Sequence, residues 1–163
     1  MGESLAICHL ETPLGTLRLT ASQAGICAIQ FLDDAPPASP EEPLPPVLAV
    51  CAQQLREYFA GQRRSFEVPL DLRGTPFQRR VWELLQHIPF GETRTYLDLA
   101  LALGDVKAVR AVGAANGQNP VPIIIPCHRV IGQDGQLVGY GGGLWRKEWL
   151  LAHEGRPVQP RLF

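Results

Sequence analysis

The sequence contains no apolar run long enough to cross a bilayer, and no basic segment precedes a hydrophobic stretch near its start. We therefore expect a cytoplasmic protein that has no membrane partner. None of its four cysteines forms a CxxC pair, and a cytosolic chain of 163 residues does not need disulfides. Hydrophobic residues nevertheless make up 45% of the chain, which is enough for a buried core and argues against a disordered protein.

The cysteines Cys8, Cys27 and Cys51 lie in apolar stretches, where the usual role of the residue is that of a small buried hydrophobic side chain. A zinc site made from Cys8, His9 and Cys27 is the alternative. Their spacing matches no established zinc motif, so buried thiols are the favoured interpretation.

The net charge of −1 indicates no particular partner, but the charges are unevenly distributed. Residues 1–70 carry 4 basic and 8 acidic side chains, whereas residues 71–163 carry 11 and 8. The more basic second part is compatible with an anionic partner, although many surfaces without one show the same imbalance.

The first part of the chain, residues 1–70, predicts a small antiparallel sheet with one helix. Short apolar segments are separated by turn signals, and a segment rich in proline and acidic residues at 33–46 predicts an exposed loop. The expected elements are strands at 5–10, 16–20 and 26–32, a helix from Val47 to Ala60, and one more strand from Phe66 to Leu70.

The second part, residues 71–163, predicts a mostly helical domain, and the whole chain an α+β fold. Thr75 begins a capping box and a helix that runs to about His87. A second capping box at Thr95 begins a short helix that ends before Gly104. The third helix is expected from Val106 to about Asn116, and its tight connection to the second indicates a helix-turn-helix.

The third helix presents two different faces. The apolar face is expected to bury Val106, Val109 and either Val112 or Gly113. The opposite face carries two cations among small side chains, which can approach a phosphate backbone closely; an ordinary solvated helix face is the other interpretation. The residues of this face are Lys107, Arg110, Ala111 and Ala114.

The segment from Asn119 to Ile131 is hydrophobic and contains three prolines, so it predicts a rigid extended stretch rather than a regular helix or a central strand. Within it, Cys127 is followed by His128. An imidazole within reach can convert a thiol into the nucleophilic thiolate. Because adjacent side chains point apart on an extended chain, His128 is expected to act through a water molecule.

The string IPCHRVIG resembles the active-site signature of the O6-alkylguanine-DNA alkyltransferases. The resemblance extends, in order and with the spacing of that family, from about residue 74 to residue 155. It is looser over residues 1–73, where TPLGTL fits the N-terminal strands of the family. The other matching strings are GTPFQRRVWELLQHIPFGETRTYLDLA, RAVG, NPVPIIIPCHRV and GYGGGLWRKEWLLAHEG.

The resemblance implies a reaction centre. Cys127 matches the alkyl acceptor, and His128 matches its base, which acts through a bound water. Glu148 matches the carboxylate that orients this histidine, an arrangement comparable to a catalytic triad. Asn119 matches the residue that holds the turn before the active site.

The resemblance also implies how DNA is bound. Tyr96 matches the tyrosine whose hydroxyl helps to neutralise N3 of the leaving guanine and whose ring crowds the DNA phosphate. Arg110 matches the arginine that fills the gap left by the flipped nucleotide, and Lys107 and Ala111 lie on the same minor-groove helix. Val130, Tyr140 and Gly141 are expected to form the substrate-binding loop.

Several positions depart from the family pattern. Ser22 and Val68 stand at or near positions where some members have zinc ligands, so we predict no metal. Asn116 and Gly117 replace bulkier or basic residues at the end of the recognition helix. Gly141 stands where others carry serine, and with Gly142 and Gly143 it should let the loop approach the base closely.

The expected function is direct DNA repair by one irreversible alkyl transfer to Cys127, without a small-molecule cofactor. The expected partner is double-stranded DNA carrying O6-alkylguanine, bound by a monomer; cooperative binding stays open. Three alternatives are a non-catalytic relative that binds alkylated guanine, a cysteine hydrolase and a helix-turn-helix regulator. The first commonly has tryptophan at the acceptor position, the second needs an oxyanion hole, and the third leaves the Cys127 segment without a purpose.

Overall fold

The computed structural model describes residues 4–34 and 43–155. The chain divides into two compact units, Met1–Arg73 and Gly74–Phe163, close to the predicted boundary at residue 70. Residues 35–42 of the expected loop at 33–46 lie outside the described part. Within the described ranges, no helix is long and apolar enough to cross a membrane.

The N-terminal unit contains the three predicted strands, β1 (Ala6–Thr12), β2 (Gly15–Ala21) and β3 (Ile26–Leu32). They form an antiparallel sheet in the order β1-β2-β3. A two-residue turn joins β1 to β2, and Gly15 after it has a φ of 100°, which favours glycine. Alternation along the strands puts one apolar set against the helix α1 (Pro46–Phe59). The buried members of this set are Cys8, Leu10, Leu17, Leu19 and Ile29.

The strand predicted from Phe66 to Leu70 is wrong. Only an isolated bridge between Leu70 and Ile26 forms there. Pro69 has no N–H to donate to a ladder. Two residues before Pro69, the backbone of Glu67 is hydrogen-bonded to the side chain of Gln54 on α1. This side chain accepts from the N–H of Glu67 at 2.9 Å and donates to its carbonyl at 3.2 Å. A helix side chain therefore replaces the neighbouring strand.

As far as residue 155, the C-terminal unit contains four α-helices and one short parallel strand pair. Both predicted capping boxes are confirmed, the first between Thr75 and Gln78 and the second between Thr95 and Asp98. The indole N–H of Trp82 donates to the carbonyl of Ala115 at 2.8 Å and ties α2 to α4. The elements are α2 (Pro76–Gln86), β4 (Arg94–Thr95), α3 (Tyr96–Ala102), α4 (Val109–Gly117), β5 (Val130–Ile131) and α5 (Leu144–His153).

The predicted third helix begins as a 3₁₀ turn, Val106–Ala108, before it continues as α4. The carboxylate of Asp105 caps this turn by accepting from the N–H of Lys107 at 3.0 Å. A 3₁₀ turn has 3.0 residues per turn instead of the 3.6 of an α-helix, so Val106 does not point to the same face as the buried residues of α4. Val106 is 54% exposed, and the prediction that it is buried is wrong. Val112 is buried as predicted. Lys107, Arg110, Ala111 and Ala114 are exposed, as predicted for the polar face.

The parallel pair of β4 and β5 positions the site. Arg94 pairs with Val130 and Thr95 with Ile131. Because α3 begins at Tyr96 directly after β4, this pairing brings the first residue of the helix beside the chain that follows Cys127.

Candidate active site

The segment that leads to Cys127 is held by the side chain of Asn119. Its Nδ2 donates to the carbonyl of Ile125 at 2.8 Å, and its Oδ1 accepts from the N–H of Val121 at 2.9 Å. Between them, Ile123 has a φ of 75°, a left-handed conformation that costs a β-branched residue about 1–3 kcal/mol. The amide of Asn119 thus fixes a strained turn, which is the role expected of it.

The sequence predicts an extended chain at Cys127, and this prediction is wrong. Cys127–Arg129 is a 3₁₀ turn, closed by the N–H of Arg129 donating to the carbonyl of Pro126 at 3.0 Å. Successive side chains of such a turn point about 120° apart. Cys127 and His128 therefore face different directions, which agrees with an indirect action of the imidazole.

The thiol of Cys127 is buried, and burial raises its pKa because the thiolate loses its hydration. Three neighbours oppose this shift in pKa: a hydrogen bond from Asn119, the charge of Lys147 and a hydrogen bond from Tyr140. Cys127 is thus a protonated thiol in a site that can stabilise its anion.

The ring of His128 is fully buried, and its Nε2 lies 2.8 Å from Oε2 of Glu154. Burial lowers the pKa of His128, although the Glu154 carboxylate raises it. The imidazole is therefore neutral, with Nε2–H donating to Glu154 and Nδ1 left as an acceptor. Nδ1 has no hydrogen-bond partner within residues 4–34 and 43–155.

The carboxylate that orients His128 is Glu154, so the assignment of this role to Glu148 is wrong. Both acids follow Gly143, but only Glu154, the residue that directly follows α5, is buried, with 4% of its surface exposed. Glu148 is partly exposed. Helical spacing in the sequence could have distinguished Glu154 from Glu148. The buried positions recur three or four residues apart, and Glu154 continues this series whereas Glu148 does not. That series is Lys147, Leu150, Leu151 and Glu154.

Glu154 is shared between His128 and Arg129. Burial alone would raise the pKa of its carboxyl, but hydrogen bonds from His128 and Arg129 outweigh burial and hold that pKa well below the ordinary value. The carboxylate stays ionised over the whole physiological range.

Lys147 is a site residue that sequence reasoning missed. It is fully buried on α5, and burial lowers its pKa to about 8. Its Nζ donates to the carbonyl of Val138 at 3.2 Å, and its charge lowers the pKa of Cys127. The available signal was a lysine on the apolar face of the predicted motif, one residue before Glu148.

Tyr96 also reaches this region. Its hydroxyl donates to the carbonyl of Val138 at 3.1 Å. Burial raises the pKa of Tyr96, and the nearby Cys127 raises it further. Tyr96, Lys147 and Asn119 thus lie around Cys127, and His128 follows it in the chain. These groups can provide a base, a cation and a proton donor.

The three residues expected to form the substrate loop differ in their surroundings. Val130 is buried and Tyr140 is half-buried beside Cys127. A Cβ on Gly141 would meet nothing within 4 Å, so nothing in the structure requires glycine there. Gly143 is different, because its φ of 95° at the start of α5 favours glycine.

Two family profiles match the chain. One, described as the DNA binding domain of 6-O-methylguanine DNA methyltransferase, matches residues 76–156. The other, described as the ribonuclease-like domain of the same enzyme, matches residues 8–72. The chain belongs to the 6-O-methylguanine DNA methyltransferase family.

Curated relatives and solved structures agree with this assignment. A methylated-DNA--protein-cysteine methyltransferase of Mycolicibacterium paratuberculosis is 47% identical over 94% of this chain and 96% of its own. A constitutive one from Bacillus subtilis is 48% identical over 81% and 84% of the two chains. A Mycobacterium tuberculosis OGT solved in complex with DNA is similar at a TM-score of 0.81 and 45% identity, covering 91% and 92%.

In this family member, Asn116 does not lie on the exposed face of α4. It is buried, and its Nδ2 lies 3.5 Å from the carbonyl of Cys127. Gly117 is exposed beside it. Of the two departures from the family pattern at the end of α4, only Gly117 is therefore exposed.

The N-terminal positions considered for zinc are engaged in other contacts. Ser22 donates to Asp71 at 2.5 Å, and His9 accepts from Arg18 at 3.2 Å on the sheet face opposite to Cys8. Over the part of the chain that the structure describes, no group of three or more His, Cys, Asp or Glu side chains is placed to hold a metal ion.

Proposed function

We propose that this protein repairs DNA by transferring the alkyl group of O6-alkylguanine to the sulfur of Cys127. The observation that carries the proposal is the buried thiol beside the hydrogen-bonded pair of His128 and Glu154. Family membership supports it, since relatives of similar length are named for transfer from methylated DNA to a protein cysteine.

The chemistry begins with formation of the thiolate. Nδ1 of His128 takes the thiol proton through a water molecule, and the resulting imidazolium is stabilised by the Glu154 carboxylate 2.8 Å away. Lys147 adds a positive charge close to the sulfur. Together with the hydrogen bonds from Asn119 and Tyr140, this charge lowers the cost of forming the thiolate in a buried site.

The thiolate then attacks the alkyl carbon in line with the bond to O6. The S–C bond forms, the C–O6 bond breaks, and the electron pair remains with the guanine. Tyr96 supplies a proton to N3 of that guanine, which limits the negative charge that develops there. A proton from the Lys147 ammonium, which binds the same Val138 carbonyl, then restores the Tyr96 hydroxyl. The hydroxyl of Tyr96, now bound to the Val138 carbonyl, exchanges this acceptor for the base.

The transfer is stoichiometric. A thioether on Cys127 is stable, and the site holds no group that we assign to its cleavage. One protein molecule therefore repairs one lesion and is spent.

Access to O6 requires that the nucleotide leave the stack, because the atom is buried within the duplex. The helix-turn-helix of α3 and α4 presents the exposed cations Lys107 and Arg110 with the small Ala111. We propose that this face enters the minor groove of double-stranded DNA and that Arg110 fills the gap left by the flipped guanine.

The three alternatives are less well supported. A non-catalytic relative would not retain an acceptor cysteine with a paired histidine. A hydrolase would turn over, and the 3₁₀ turn at Cys127 offers no donor pair that we can identify as an oxyanion hole. A plain regulator would leave the buried charges around Cys127 without a function.

Titration with excess lesion tests the proposal. Duplex carrying O6-methylguanine is mixed with limiting protein, and repaired guanine is counted. Product should plateau at one equivalent of protein, and Cys127→Ser should give none while still binding the duplex. Linear product formation beyond one equivalent would favour a hydrolytic enzyme.

A further inference from the structure

Arg129 is a buried cation whose guanidinium makes contacts on two sides. Its Nε donates to Oε1 of Glu154 at 2.8 Å, and its Nη2 donates to Oε2 of the same carboxylate at 3.0 Å. Its Nη1 donates to the carbonyl of Ile88 at 2.6 Å. The side chain is 7% exposed, and the ring of Phe90 lies 5.8 Å from the guanidinium carbon.

We propose that Arg129 is a positioning residue for the alkyl transfer, which keeps Glu154 ionised and fixes His128 as a neutral base with a free Nδ1. The inference rests on the proposed function and assigns to Arg129 a part in it. Arg129 itself touches neither the thiol nor the alkyl group.

Oε2 of Glu154 accepts from both Nε2 of His128 and Nη2 of Arg129. A buried carboxylate whose only cationic neighbour was His128 would draw a proton onto the imidazole, because a charged pair costs less there than a lone anion. Nδ1 would then carry a hydrogen and could not accept the thiol proton. Arg129 neutralises the charge of the Glu154 carboxylate without a proton from the imidazole, so His128 can stay neutral.

Of the other charges around the ring, Lys147 acts in the same direction as Arg129 and Glu154 acts against them. Lys147 reaches His128 from α5, and its charge lowers the pKa of the imidazole together with burial and Arg129. Glu154, also at the end of α5, raises that pKa. Just after α2, the backbone carbonyl of Ile88 accepts a hydrogen bond from Arg129. The charge state of His128 is thus a balance in which Arg129 counters Glu154.

The contact with Ile88 adds a geometric role. Ile88 follows the end of α2, and Glu154 follows the end of α5. The planar guanidinium joins both ends to the turn that carries Cys127, with two parallel bonds to the carboxylate. A lysine has the same charge but cannot form this fork.

The test compares Arg129→Met and Arg129→Lys in the full chain. The rate of Cys127 alkylation by free O6-benzylguanine is measured from pH 5 to 9, a range chosen around the histidine titration. Arg129→Met should move the acid limb of the profile to higher pH by about one unit or more, and Arg129→Lys should lie between it and the wild type. Arg79→Met, which removes an exposed arginine bonded to Gly74, is the matched control and should not move the limb.

Nitrogen NMR of the His128 ring gives a second readout that needs no alkyl transfer. In the wild type at pH 7 it should report a neutral ring protonated at Nε2, and in Arg129→Met an imidazolium. An imidazolium in the wild type would overturn the inference, even if neither variant folds. An equal loss of rate at every pH with an unmoved limb would also overturn it, since that pattern indicates a merely structural role.

The two proposals fail in different ways. If wild-type protein takes no alkyl group from duplex O6-methylguanine, the proposed function fails, whereas the ring NMR still decides what Arg129 does. If transfer occurs and the ring state is insensitive to Arg129, only the present inference fails.

Discussion

The hydroxyl of Tyr96 donates a hydrogen bond to the backbone carbonyl of Val138, with 3.1 Å between the oxygens. Nζ of Lys147 donates to the same carbonyl at 3.2 Å. One exposed loop residue thus engages two donors whose pKa values respond to Cys127. A guanine that accepts a hydrogen bond from either donor has to displace this carbonyl. In the free protein, the Val138 carbonyl thus occupies the donors that the base would use.

Tyr96→Phe should slow transfer from both free O6-benzylguanine and duplex O6-methylguanine by a similar factor, roughly 100-fold, the lower end of what a positioned proton donor contributes. The reason is that the leaving group is the same in both substrates. Single-turnover rates measure it, and Tyr58→Phe in the N-terminal unit is the control for loss of a buried hydroxyl. If only the duplex reaction slows, Tyr96 acts on DNA and not on the leaving group.

Arg110→Ala should slow repair of duplex DNA far more than reaction with free O6-benzylguanine, which needs no flipping. An extruded guanine leaves unstacked neighbours at a cost of a few kcal/mol, and an inserted guanidinium recovers part of it. Lys107→Ala, a second exposed cation, should weaken binding and reduce its salt dependence by about one contact. Equal slowing of both substrates by Arg110→Ala would assign Arg110 to the chemistry or the fold.

Glu154→Gln should abolish most of the activity and destabilise the protein by about 3–5 kcal/mol, because it leaves Arg129 buried without its counter-ion. Glu148→Gln, on the same helix, should do neither. Rates and denaturant unfolding measure the two effects.

The same carboxylate makes stability depend on pH. The pKa of Glu154 is lower in the folded protein than its ordinary value of 4.5, so its contribution is complete above that value and is lost as the pH falls toward the folded pKa. Acid unfolding of Glu154→Gln should lack this component. A Glu148→Gln variant that loses it instead would restore the assignment that the structure contradicts.

Lys147→Met should raise stability at neutral pH and slow alkyl transfer. A fall in the pKa of Lys147 from 10.5 to about 8 corresponds to at most about 3 kcal/mol for keeping the buried ammonium charged. That cost is complete below pH 8 and is relieved as the pH rises toward 10.5, so the gain in stability should shrink over that interval.

The chain's other lysine supplies the control. Lys107 is exposed, so Lys107→Met should leave the free energy of unfolding nearly unchanged at each pH. A stable Lys147→Met protein with an undiminished rate on free O6-benzylguanine would show that the ammonium does not assist Cys127.

Local signals made much of the fold predictable. The three strands and both capping boxes were correct because alternation, turn residues and side-chain caps act over a few neighbouring residues. The prediction of a strand at Phe66–Leu70 was wrong because the backbone of Glu67 is hydrogen-bonded to the side chain of Gln54 on α1, which is distant in sequence. Val106 failed because the cap by Asp105 produces a 3₁₀ turn, which the apolar pattern does not reveal.

The site was predictable to a similar degree. Cys127, His128 and Asn119 stand in one continuous motif and could be matched directly. The partner of His128 comes from another helix, and a motif that contains two acids does not state which one faces inward. The roles of Lys147 and Arg129 depend on burial and on contacts across the unit, which become visible only in three dimensions.

The most direct test is the location of the transferred group. The protein is incubated with a duplex containing O6-methylguanine, and its intact mass and proteolytic peptides are measured. One methyl should appear per chain, on the peptide that contains Cys127, and Cys127→Ser should remain unmodified. A methyl on Cys8, Cys27 or Cys51, or disappearance of the lesion without any modified protein, would contradict the proposed function.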